Sequence, residues 1–515
     1  MTTASAQMSS TAQARVYAYD LQQVEGDVTT VTFKTNTKAN TAVVTLSAEG
    51  QDDIMFNATS TDGKNWTAEI TPSGEFAADV EYNWSVEVSA DAVTAWKQIN
   101  QDGATFSFYR SYGVIVDNNP ESDNFGRAYV SNNYAGTARS KSYPRATTVG
   151  FYTFNPELVA ENTTAYACSV VGAGESSVKY GSPRDLSIDE EGNLYLADCS
   201  KTKSGIYIVN PNNNYSSTAV FTGTRDADGI IKNANDEIVS GPTCGVGVRG
   251  TGEEREIYSL AYHGPVGEAT YIQYVNRFEI GDKTEWNVKP TWSNYNFKNK
   301  TVNTENGGTT VQVVNQYSSI EPISTGGYWV AQNRTTSSKA NPSVFYCNSK
   351  NEVLYSAEEN GGMAGTGSKN GALAVNERLG LVAFSLAAKA GVISYTMNDD
   401  ETIEASIVST NSLSPLAQAD AMAFDYAGNL YAVTANTEAM AVYAIPTANN
   451  KCSTPAKKDL TISYTQGEIE ATGIETIESE NAPVEYYNLQ GVKVENPENG
   501  IFIKKQGRKT TKVIL

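Results

Sequence analysis

The sequence predicts an all-β protein with an N-terminal β-sandwich, a six-bladed β-propeller and a small three-stranded β module at the C-terminus. Three observations carry this. The 515 residues include 41 Gly and 30 Tyr, with much Thr and Asn, and they lack long stretches of helical periodicity. Residues 14–90 alternate apolar and polar side chains in segments of strand length between turn residues. From about residue 105 a sequence unit recurs.

Residues 1–12 are a Ser/Ala/Thr leader. Ala4-Ser5-Ala6 before Gln7 has the small-x-small pattern of a signal-peptidase site, so residues 1–6 read as the remnant of a signal peptide. Residues 13–100 hold the segments "RVYAYDLQQV", "TTVTFKTNT", "AVVTLSAEG", "NWTAEITP" and "EYNWSVEVSA", enough strands for one sandwich. "STDGKNW" in their midst is one residue shorter than a sialidase Asp-box, and its Asp62-Gly63 reads as a hairpin turn.

Residues 101–465 carry the repeat. "GRAYVSN" at 126–132 matches "GNLYLAD" at 192–198 and "GNLYAVT" at 428–434. An apolar strand closed by Asp precedes each, ending at Asp117, Asp189 and Asp425, where Asp caps its own backbone. "GFYTFNP" and "GIYIVNP" follow the first two, and "AVYAIP" follows the third more loosely. Weaker copies between them bring the count to six units. One unit cannot cover both faces of its own sheet, and a radial array covers them all, hence a propeller of six blades. "LTISY" is expected to complete the last blade, residues 466–480 to form an acidic linker, and 481–515 to fold as strands Val484–Leu489, Gly500–Lys505 and Thr510–Leu515.

With 58 acidic and 38 basic residues the net charge is −20, which argues against nucleic acid, since phosphate binding needs clustered cations. Lys504, Lys505, Arg508, Lys509 and Lys512 are the exception and read as the solvated face of the terminal sheet. No apolar run reaches 18 residues, so no transmembrane helix is expected. The five cysteines (168, 199, 244, 347 and 452) lack C-x-x-C spacing; at least one is unpaired, and the pairing is open.

Chemistry is sparsely signalled. His263 is the only histidine, no G-x-S-x-G accompanies it, and it reads as a loop or blade-edge residue. Asp226 and Asp228 in "TRDADGIIKNANDE" have calcium-loop spacing, but Thr224 and Asn235 stand where carboxylates should be, so a polar hairpin is the preferred reading. Loop aromatics beside amides are the better lead: Trp292, Tyr295, Tyr134, Tyr328 and Trp329 are the candidate ligand contacts.

The repeat D-x-x-G-N-L-Y resembles the six-bladed propellers of the NHL and gluconolactonase-like superfamily. Tyr487-Asn488-Leu489-x-Gly491, then Gly500 with Phe502, then Lys512 in a terminal apolar strand resemble the C-terminal sorting domain of the type IX secretion system. That resemblance implies a Bacteroidota-type bacterium, export to the surface or medium, and secretion machinery as a partner of the tail. The N-terminal segment is similar to the Ig-like modules that precede propellers in secreted proteins of that group. The sequence therefore reads as a secreted or cell-surface protein that binds a glycan or a protein through propeller loops. A calcium-assisted hydrolase or lactonase on the propeller channel, and a structural surface component, are the alternatives.

Overall fold

A computed structural model describes residues 13–514 except 27, 101–102, 133–135, 138–142, 146–149, 163–165, 168–183, 264–272, 300–309, 314–317, 334–341, 361–370, 387–388, 413–417, 436, 473–482, 499 and 507–508. Nearly all regular structure in it is β-strand.

Two antiparallel sheets open the chain. Ala18–Val24, Thr29–Thr35 and Asn65–Ile70 form the first. Ile54–Asn57, Thr41–Ser47 and Tyr82–Ser89 lie in the second. Strict alternation sets their facing: in Thr29–Thr35, Val31 and Phe33 are buried and Lys34 is exposed. Val31, Phe33, Trp66, Val44, Trp84 and Val86 meet in one core between the sheets.

The second sheet is finished from the far end of the chain. Lys451–Pro455 and Thr461–Ile462 both pair antiparallel with Tyr82–Ser89, Cys452 opposite Val88 and Thr461 opposite Asn83. The expectation that "LTISY" completes the last blade is thereby corrected. Its Ile462 and Tyr464 are buried in the sandwich core, and the Tyr464 hydroxyl donates to the Ile70 carbonyl at 2.8 Å. Gln466–Thr472 then forms a short helix whose Ile469 enters the same core.

Between these segments lie four-stranded antiparallel sheets in chain order. We label them by their innermost strands: sheet I on Val114–Val116, II on Asp185–Ile188, III on Thr243–Arg249, IV on Ser318–Pro322, V on Leu373–Asn376 and VI on Ala421–Phe424. These inner strands adjoin one another in that order, and the last adjoins the first. The arrangement is a β-propeller: each sheet's faces are covered by its neighbours. Close approach at the axis requires glycine at one point, since a Cβ on Gly247 would lie 2.2 Å from Pro322 Cδ of sheet IV. The outer strand of sheet VI is Lys97–Gln98, from the start of the chain, paired with Tyr443 and Ala444. Sheet IV carries an extra hairpin, Asn296–Asn299 with Thr310–Gln312, on its outer edge.

The tail forms its own antiparallel sheet, and it has four strands where three were expected: Lys493–Val494, Val484–Tyr487, Ile501–Gln506 and Lys509–Ile514. The added strand follows from a tight turn. Asn488 accepts from the Gln490 and Val492 amides at 3.0 and 2.9 Å, and Gly491 supplies a φ of 81°.

Candidate functional site

A cavity of about 820 Å³ opens between the sandwich and the propeller. Three main segments far apart in sequence enclose it, with Lys34 and a loop holding Asn155, Pro156 and Glu161 beside them. The first is the sandwich edge Tyr19–Gln23, where the strand register shifts between Tyr19 and Gln22 and Asp20 adopts a φ of 54°. The second is the loop after the inner strand of sheet I, built on Asp117, which accepts from the Asn119 amide at 3.1 Å and the Ser122 hydroxyl at 2.6 Å. Burial pushes the Asp117 carboxyl up. The third is the returning segment Thr454–Leu460.

Every cation lining this cleft is paired. Lys34 meets Asp20 at 2.9 Å, Arg127 meets Glu161 at 2.7 Å, and Lys457 meets Asp123. Gln22, Asn155 and Ser122 supply polar edges, and Phe125 a half-buried ring. Cations that are already paired, together with amides and an aromatic face, suit a hydroxyl-rich ligand better than an anion. None of these residues was singled out by sequence. Their pairing joins positions up to several hundred residues apart and leaves no local pattern.

Polar groups also gather at the propeller axis. Asp185 of sheet II accepts from the adjacent Leu186 amide at 3.1 Å and from the Val246 amide of sheet III at 3.2 Å, and Ser319 of sheet IV also bonds to it. Burial pushes its carboxyl up to about 7. Glu321 of sheet IV is raised further, by burial first and by the neighbouring Asp185 second. Arg184 lies over the Tyr112 ring at 4.1 Å and draws down the buried Asp420 of sheet VI, whose carboxyl burial raises. At the end of the ring where the inner strands finish, a second cavity of about 700 Å³ is lined by Ile188, Val248 and Pro322 and by several glutamates.

The repeated aspartates do cap their turns. Asp189 accepts from the Glu191 and Asn193 amides at 3.0 and 2.9 Å, and Asp425 from Asn429 at 2.7 Å.

The aromatic candidates do not assemble into one surface. Tyr328 and Trp329, expected in a loop, lie in the strand Tyr328–Gln332 and are fully buried. Their apolar neighbours Val330 and Ala331 continue a strand buried on both faces, a pattern that local reading takes for a loop because Gly326-Gly327 precede it. Trp292 is half-buried against Tyr258 and Tyr328, with ring centroids 6.2 and 6.0 Å away. Tyr295 meets Tyr274 edge-on at 4.9 Å, and Tyr274 stacks on His263 at 4.2 Å. His263 follows the strand Glu256–Tyr262, and burial pulls its imidazole down to about 4. Tyr134 lies outside the described residues, as do Ala4–Ala6 and Cys168.

Asp226 accepts from the Asp228 and Ile230 amides at 2.9 and 3.0 Å, and Asp228 pairs with Lys201 at 3.0 Å. Their carboxylates thus serve a hairpin and an ion pair. Among the described residues no three His, Cys, Asp or Glu side chains are grouped to hold a metal ion. In the tail, the Tyr487 hydroxyl donates to Glu485 at 2.8 Å, Leu489 is exposed, Phe502 is half-buried beneath Gly500, and Lys512 is exposed. Cys199 and Cys244 are joined as a disulfide between sheets II and III, with Cα atoms 5.3 Å apart, while Cys347 and Cys452 are buried free thiols.

No family model matches the chain, and no curated protein matches it. Solved structures to which it is similar include a Bacteroides thetaiotaomicron protein of unknown function, 9% identical over 83% of this chain and 98% of that one, with a TM-score of 0.36. The WD40 β-propeller domain of Doa1 is 8% identical over 69% of this chain and 97% of its own, with a TM-score of 0.34. The extracellular domain of a hybrid two-component system protein from B. thetaiotaomicron is 10% identical over 97% of this chain and 66% of that one, again at 0.34. Values this low carry neither an activity nor a ligand to this chain. Among the described residues no helix is long and apolar enough to cross a membrane.

Proposed function

We propose that the chain is an exported binding protein that holds a glycan in the cleft between its sandwich and its propeller. In this reading sheets I–VI are six blades, the paired N-terminal sheets are an Ig-like sandwich, and the tail sheet is a relative of the type IX sorting domain. The single observation behind the binding site is the 820 Å³ cleft whose cations are all neutralised from within. Sheet I contributes the loop between its first two strands, so the ligand is met by a propeller loop on one side and by the sandwich edge on the other. The Cys199–Cys244 disulfide supports an oxidising compartment, and with it export.

A glycan array read with the wild-type chain and with Gln22→Trp tests this. Gln22 is exposed and lines the cleft, so a large ring there fills the cleft and leaves its charges unchanged. Glycan binding lost in the variant, at an unchanged melting temperature, is the expected result. No glycan binding by the wild type, or equal binding by both, overturns the reading.

Hydrolysis at the ring axis draws on Asp185 and Glu321, which approach each other from different sheets. Burial favours their neutral forms, whereas a calcium site needs ionised oxygen ligands. The axis therefore supports packing better than calcium-assisted turnover.

A further inference from the structure

The outer strands of the ring differ in length and in cover. Those of sheets I, II, III and VI are short: Tyr166–Ala167, Ser216–Ala219, Trp292–Asn294 and Lys97–Gln98. Sheet IV is capped by its extra hairpin. The outer strand of sheet V, Ile403–Ser412, has 10 residues. It holds no Lys, Arg or Pro, and Glu404 is its only charge. Proteins commonly blunt such an edge, because its free amides and carbonyls pair readily with another strand.

A bulge divides the strand. Its register with Lys389–Met397 shifts at Val408, which lies between the Ile407–Ile393 and Ser409–Val392 pairs and is 56% exposed. Beyond the bulge, the Trp96 indole donates to Ser409. Before it, residues 403–407 stay in unbroken register. The hairpin begins where the Asn398 amide donates to the Thr402 carbonyl at 2.9 Å. Antiparallel pairing alternates from there, so Ile403, Ala405 and Ile407 turn their amides and carbonyls away from sheet V. Among the described residues no hydrogen bond reaches these groups. Their side chains pack on the core shared with sheet IV. Glu401, in the turn, accepts from the Ser349 amide of sheet IV at 2.7 Å and from its hydroxyl at 2.8 Å. The open half of the edge is thus held in place from one side.

The open half is complementary to itself. In antiparallel order about a two-fold axis at Ala405, Ile403 of one copy faces Ile407 of the other, and Glu404 faces Ser406. The acidic turn 399–401 then lies toward Ser409, Thr410 and Asn411, so no like charges are opposed. An axis at Glu404 would set two carboxylates against each other. We infer that this edge pairs with the same edge of a second copy of the chain, joining the two copies of sheet V into one continuous sheet. Ile403, Ala405 and Ile407 exchange their outward hydrogen bonds with the facing strand, and the half-exposed isoleucines cover one another. The pairing does not depend on the proposed glycan cleft.

Analytical ultracentrifugation of the full chain over a range of concentrations tests this, at physiological salt so that the −20 charges of two copies are screened. The expected result is a reversible dimer. Ser406 is exposed, and Ser406→Glu sets a carboxylate against Glu404 of the facing copy on each side of the axis. It should weaken the dimer about tenfold, and adding Glu404→Lys should restore it. Ala405→Pro removes the outward amide at the axis, which sheet V itself does not use, and should leave a folded monomer with a melting temperature near that of the wild type. A wild type that stays monomeric up to millimolar concentration overturns the inference. So does a dimer that Ser406→Glu and Ala405→Pro leave intact, or one that Glu404→Lys fails to restore to Ser406→Glu.

Discussion

The Val16 amide donates to the side-chain oxygen of Asn450 at 2.9 Å, across 434 residues of chain. The same side chain donates to the Ala14 and Asp91 carbonyls at 3.0 and 2.9 Å. One buried amide therefore ties the entry to the sandwich, its exit and the end of the propeller. Asn450→Ala removes all three bonds and leaves buried backbone groups unmatched, at a cost of about 2–4 kcal/mol. Urea unfolding followed by two probes, one in the sandwich and one in the propeller, should show both transitions shifted together. Independent transitions would mean that the two units are not coupled through this contact.

Truncation should discriminate sharply. Deleting 473–515 leaves both strands of the returning segment in place, and the melting temperature should stay near that of the full chain. Deleting 451–515 strips one edge of Tyr82–Ser89, leaving only its pairing with Thr41–Ser47, and removes Cys452, Ile462 and Tyr464 from the core that holds Val86 and Val88. The sandwich should then be cut rapidly by protease. Resistance equal to the full chain would contradict the pairing.

Trp292→Ala should cost about 2–4 kcal/mol, because its ring packs on Tyr258 and Tyr328. Tyr295→Ala should cost less, since it meets only Tyr274 among the described rings. Equal, negligible losses in thermal melts would return Trp292 to the role of a surface contact.

Two buried groups should give opposite pH dependences. Asp185, raised by burial to about 7, holds its proton in the folded state, so its contribution is full below about pH 4 and is lost as pH rises through about 7. Asp185→Asn should flatten that loss and gain on the order of 2–3 kcal/mol at pH 8. His263, pulled down by burial to about 4, contributes stability present above about pH 6.5 and lost as pH falls through 4. His263→Phe keeps the stack on Tyr274 and should remove that acid sensitivity. Unfolding free energies measured from pH 4 to 8 check both signs.

Much of the ring was legible because its repeat is local. "GRAYVSN", "GNLYLAD" and "GNLYAVT" contain the second strands of sheets I, II and VI, Ala128–Asn132, Leu194–Asp198 and Leu430–Thr434. The aspartates before them accept bonds from their own turns. The return of Lys451–Pro455 was not legible. Its alternation, with Cys452 and Thr454 inward, fits any half-buried strand, and the choice of partner lies in topology rather than in its residues. Lys97–Gln98 is too short to show a period at all. The cleft was hidden for a related reason: Asp123 finds Lys457 only once the chain has closed on itself.

Hydrogen–deuterium exchange of the full chain, with and without a glycan selected on the array, tests the binding site most directly. Amides in 21–24, 121–127 and 457–460 should be protected together, and Gln22→Trp should abolish all three effects. Protection confined to other segments, with these three unchanged, would contradict it.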